Sequence, residues 1–90
     1  MITSSQMRAA RAMLGIDQRE LARLSGVSLP TIQRMEASNG VVRGVVSTLM
    51  QVIEALERAG IELIGDNAPS AGGGRGVRFK EPKSSPGSAS

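Results

Sequence analysis

The stretch from Gln18 to Glu36 constrains this chain more than any other part of it. Leu21, Val27, Ile32 and Met35 are spaced so that their apolar side chains meet only if two short helices pack against each other. Ala22 supplies a small residue where the second helix must cross the first. Gly26 stands where the first helix has to end, in the left-handed backbone conformation that costs glycine little. Ser28 follows at the position expected to cap the next helix by accepting a backbone N–H. An ordinary helical hairpin explains the apolar spacing. It does not explain the small residue, the glycine and the cap at their required offsets. The pattern therefore predicts two short helices at a steep angle, joined by a glycine turn.

Composition narrows what such a unit can do. The 90 residues contain neither Cys nor His. Disulfides, thiolate or imidazole metal sites, thiol nucleophiles and an imidazole base are thus excluded. No cofactor or metal is expected. The carboxylates are isolated along the chain and no hydroxyl has a plausible base, so an enzyme is not expected. Gly72-Gly73-Gly74 lacks the following helix that a phosphate-binding loop requires. The single aromatic residue, Phe79, argues against a stacking platform for single strands. No apolar run reaches membrane-spanning length and no signal pattern opens the sequence, so a cytoplasmic location is expected.

The net charge of +3 is segregated. Residues 1–46 set Arg8, Arg11, Arg19, Arg23, Arg34 and Arg43 against Asp17, Glu20 and Glu36. Residues 47–74 set Arg58 against Glu54, Glu57, Glu62 and Asp66. Residues 75–90 set Arg75, Arg78, Lys80 and Lys83 against Glu81. The first half suits a polyanion, and the acidic segment suits a surface turned away from it.

Four helices are predicted. The first covers Ser4 to Leu14, with Thr3 and Gln6 as a capping box, Ile2 and Met7 as a hydrophobic staple, and Gly15 as its stop. The second follows Asp17 as cap, with Glu20 at the box position, and ends near Ser25. The third ends near Ala37, with Pro30 in its first turn, where a missing N–H costs little. Residues 38–46 read as a loop, and Ser47 is expected to cap a fourth helix ending near Ala59. The period then changes to that of strands at 61–64 and 76–80. Residues 65–75 read as a mobile loop and 81–90 as a disordered tail. The expected division is a helix-turn-helix domain over 1–60, a strand segment over 61–80 and the tail.

Residues 3–59 resemble the phage-repressor and Cro family of helix-turn-helix regulators, the XRE family. The resemblance rests on Gln18, Leu21-Ala22, Gly26-Val27-Ser28, Thr31-Ile32 and Met35-Glu36. It implies an all-α, compact four-helix, lambda-repressor-like domain that binds double-stranded DNA with its third helix in the major groove. A short C-terminal strand pair stands where the family has a fifth helix. By position the resemblance assigns base contacts to Ser28, Leu29, Pro30, Gln33 and Arg34. Leu29 and Pro30 read no donor pattern but suit thymine methyl groups, and the Arg34 fork suits guanine O6 and N7. Gln18, Arg19, Thr31, Asn39 and Arg43 become phosphate contacts, with Arg43 the strongest. Arg11 and Glu36 become a structural ion pair, and Arg8 and Arg23 are left as plain surface charges.

These readings lead to a sequence-specific transcriptional regulator that binds a palindromic operator as a homodimer. Leu56, Ile61, Leu63, Val77 and Phe79 are the expected dimer residues, because a lone hairpin must pack on something; the other reading is that the strands merely cap the monomer core. Two further functions fit the same sequence. One is an antitoxin that autoregulates its operon and binds a protein partner through its C-terminal segment. The other is a protein–protein transcriptional adaptor, which would have little salt-dependent affinity for DNA.

Overall fold

Thr3 opens the first helix with its side chain. Its Oγ1 accepts the N–H of Gln6 at 3.1 Å, and Oε1 of Gln6 accepts the N–H of Thr3 at 2.8 Å, closing the expected capping box. Helix α1 (Ser4–Leu14) ends at Gly15, α2 (Gln18–Ser25) at Gly26, α3 (Leu29–Ala37) at Ser38, and α4 (Val46–Arg58) at Ala59. Two strands follow, β1 (Ile61–Ile64) and β2 (Gly76–Phe79). The computed structural model describes residues 2–65 and 76–80; the expected loop interior and the expected tail lie outside the described residues. The fold is a four-helix domain with a short antiparallel strand pair.

One core joins all of these elements. Ile2, Met7, Ala10, Leu21, Val27, Ile32, Met35, Val42, Leu49, Val52, Leu56 and Ile61 are buried together. Leu21, Val27 and Ile32 enter the same cluster, and Ile16 packs against it. The strands pair Ile61 with Phe79, Glu62 with Arg78, Leu63 with Val77 and Ile64 with Gly76. Alternation then puts Ile61, Leu63, Val77 and Phe79 on one face, and all four pack on the core. On the other face Arg78 Nε donates to Glu62 Oε1 at 2.9 Å and holds that carboxyl below its ordinary value.

This packing corrects the expected dimer surface. Leu56 and Ile61 are fully buried within the protomer, so neither offers area to a second copy. The physical reason lies in Gln6. Its Nε2 donates to the carbonyl oxygens of both Ile64 and Gly76, at 3.0 Å each. A capping residue of the first helix thereby fastens the far end of the sheet onto the helices.

One helix cap also differs from expectation. Ser47 does not cap α4. The helix starts at Val46 with Val45 in the N-cap position and no side-chain cap, because the N–H of buried Leu49 closes on the Val45 carbonyl at 3.1 Å. At the other end the helix stops at Arg58 with Ala59 as its C-cap, as expected.

Gln6 is buried and serves both the helix cap and the sheet. Gln6→Ala should lower stability by about 1–3 kcal/mol, because it removes half of the capping box and both bonds that tie the half-buried end of the strand pair to α1. Urea denaturation measures this. A loss below about 0.5 kcal/mol, the range of ordinary surface changes, contradicts the role assigned to Gln6.

Candidate nucleic-acid interface

The corner between α2 and α3 is built as the sequence requires. Gly26 has φ +75°, and its N–H donates to the Ala22 carbonyl at 2.9 Å. A Cβ there would meet only Nε2 of Gln51, at an ordinary 3.6 Å. The glycine is therefore demanded by backbone conformation, not by space. Side chains of α4 take up carbonyls left open at the end of α2. Gln51 Nε2 donates to Ser25 O at 3.4 Å, and Arg58 Nη2 donates to Leu24 O at 3.2 Å. A cation at a helix C-terminus also opposes the helix dipole.

Helix α3 turns Ile32, Met35 and Glu36 inward, and leaves Pro30, Gln33 and Arg34 exposed. Leu29 and Thr31 are half-buried, and Ser28 is exposed at the N-cap. Ser28 does not cap through its side chain. Pro30 removes one of the N–H groups a cap would accept, and the Ser28 hydroxyl donates instead to Thr31 Oγ1 at 2.9 Å. The second expected box is likewise incomplete. Asp17 accepts the Glu20 N–H at 2.8 Å, but the Glu20 carboxylate pairs with Arg23, which keeps that carboxyl below its ordinary value.

A buried carboxylate sets the attitude of α3. Arg11 Nε and Nη2 donate to Oε2 and Oε1 of Glu36, both at 2.7 Å, in a two-pronged fork. This bond holds the Arg11 guanidinium above its ordinary pKa, against partial burial. Gln18 Nε2 donates to Glu36 Oε1 at 3.1 Å, and Arg8 Nη1 donates to the Glu36 carbonyl at 2.6 Å. Arg8 is thus not a plain surface charge. It lies three residues before Arg11, so both reach the end of α3 from one face of α1. That spacing was the available signal, but which helix the face meets is decided by packing. Gln18, assigned to phosphate by resemblance, has its amide directed at Glu36.

The partners of the cations sort them. Arg8, Arg11, Arg23, Arg58 and Arg78 are each committed to a carboxylate or carbonyl of the protein. Arg19, Arg34 and Arg43 are exposed and have no partner among the described residues. Arg43 is nevertheless well placed. Val42, next to it, is buried, and its N–H donates to Ile2 O at 3.0 Å, while Ser4 N donates to Gly40 O at 3.0 Å. The loop after α3 is therefore stitched to the N-terminal residues. Arg34 and Arg43 line one groove of about 280 Å³ between the α2–α3 corner, α3 and the start of α4, with Thr31 and Thr48 beside them. Asn39 is exposed on the same loop. At this groove α4 opens without a side-chain cap, so its first N–H groups add partial positive charge.

Arg11→Ala should destabilise the protein by about 3 kcal/mol, because it leaves Glu36 buried with only Gln18 for a partner. Glu36→Gln should cost less, since Arg11 reaches solvent. Chemical denaturation of both variants checks the order. A cost for Arg11→Ala within the roughly 0–1 kcal/mol of an exposed pair overturns it.

Among the described residues no helix is long and apolar enough to cross a membrane, and no group of carboxylates is placed to hold a metal. No curated protein shows significant similarity to the chain. Residues 7–42 match the family model described as helix-turn-helix. The matched segment spans α1 from Met7 onward, the Gly26 corner, all of α3 and the pinned loop before Arg43. Over that segment the chain is similar to the XRE and Cro type of helix-turn-helix family, a DNA-binding regulatory type.

Proposed function

We propose that the protein is a sequence-specific transcriptional regulator that binds a palindromic operator as a homodimer, reading each half-site with α3 in the major groove. The observation that carries this reading is the sorting of the arginines. Among the described residues those without a protein partner are Arg19, Arg34 and Arg43, and each lies on α2, α3 or the loop that follows. Free guanidinium groups on that corner are matched by phosphates and guanine edges.

In this proposal Gln33 and Arg34 read base edges, and Ser28, Leu29 and Pro30 face the bases from the start of α3. Arg19, Thr31, Asn39 and Arg43 hold the backbone. Gln18 retains one amide N–H and its Oε1 beyond the bond to Glu36, so it can still meet a phosphate beside the α2 N-terminus.

Selection of sites from random-sequence duplexes tests the reading. Two inverted half-sites about one helical turn apart are expected. Recovery of a single asymmetric site overturns the homodimer, and recovery of no enriched sequence overturns sequence specificity.

On the selected site, affinity should fall with salt at a log–log slope of about −0.9 per neutralised phosphate. Arg34→Ala should cost about 1–3 kcal/mol on the selected site and much less on scrambled DNA. Arg43→Ala should weaken both equally and reduce the salt slope by about 1. Titrations at several salt concentrations measure all three, and identical behaviour of the two variants refutes the division into base and phosphate contacts.

A further inference from the structure

Helix α4 has an outward face that the protomer leaves uncovered. Its inward face is Leu49, Val52, Ala55 and Leu56. On the opposite side Val46, Met50 and Glu54 follow at four-residue steps, and Glu57 continues the stripe. Val46 is 63% exposed, Met50 is 38% exposed, and Val45 just before the helix is 68% exposed. Among the described residues these are large apolar side chains left open to water, and they adjoin one another. Glu54 and Glu57 are exposed without partners among the described residues, as is Arg43 ahead of the helix. The surface thus runs from basic, through apolar, to acidic along one helix of 13 residues.

Such a gradient is complementary to itself when reversed. We propose that this face of α4 docks on the same face of a second copy, antiparallel, around a two-fold axis near Met50. The inference rests on the homodimer reading above and names its interface. At that axis Met50 meets Met50 of the second copy. Val46 then lies against the methylene stem of Glu54 of the second copy, and Arg43 faces Glu57 of the second copy. A parallel pairing would set carboxylate against carboxylate and Arg43 against Arg43, so charge selects the antiparallel form. The contact is isologous, as a two-fold dimer requires. Val45 and Arg43 also line the groove that holds Arg34, so the seam borders the face assigned to DNA. The Arg43 guanidinium has five donors and can serve a carboxylate on one edge and a phosphate on another.

The absence of cysteine in the chain makes the test direct. Met50→Cys should form a disulfide-linked dimer on mild oxidation, at least about ten-fold faster than Ala9→Cys, an exposed control on α1. In sedimentation of the full chain, Met50→Asp and the double variant Glu54→Lys/Glu57→Lys should each raise the dimer dissociation constant at least about ten-fold, with thermal melting unchanged at concentrations where the wild type is monomeric. A wild-type dimer whose dissociation constant is unmoved by these variants, or equal cross-linking of the two cysteine variants, overturns the α4 interface and leaves the homodimer intact. A wild-type chain that stays monomeric, free and on its selected site, overturns both.

Discussion

One carboxylate holds the reading head in place. Glu36 sits at the inner end of α3 and receives Arg11 from α1, Gln18 from α2, and Arg8 on its own carbonyl. Three helices therefore converge on a single residue near the end of α3. A buried charge of this kind is costly unless its hydrogen bonds are complete, and here they are supplied in a planar fork with one further donor. The arrangement also removes a negative charge from the surface that must approach phosphate. The specificity of the pair is geometric, since only one orientation of α3 brings Glu36 within reach of all these groups.

The rest of the molecule extends the same device, with polar side chains closing the ends of helices they do not belong to. Gln51 and Arg58 of α4 take the terminal carbonyls of α2. Gln6 of α1 takes the far end of the strand pair. A domain of this size has a small core, so orientation between its short helices depends heavily on such bonds. Their consequence for function is economy of charge. Among the described residues, arginines used internally are satisfied, and those left open gather on the corner and its following loop.

The C-terminal strands acquire a different role in this light. Their apolar face is drawn onto the helical core, which accounts for a two-stranded sheet that would be marginal alone. In the interface proposed above, α4 turns one face to the core and the other to the second copy.

The sequence by itself determined the elements. The Thr3–Gln6 box, the Gly26 corner and the staple at Ile2 are local signals, because a cap or a left-handed turn involves residues only a few positions apart. They placed the helices to within a residue or two, together with the Arg11–Glu36 pair that the family resemblance implied. Spacing does not reveal which element a face meets, and there the sequence was silent. Arg8 carries no mark that separates it from a solvated charge until α3 ends beside it. Ser28 reads as a cap until Pro30 leaves it a hydroxyl partner instead. Leu56 and Ile61 look as available to a second copy as to their own core until Gln6 fastens the sheet inward. Only the tertiary structure decided these, because partners far apart in the chain are chosen by three-dimensional packing and not by periodicity.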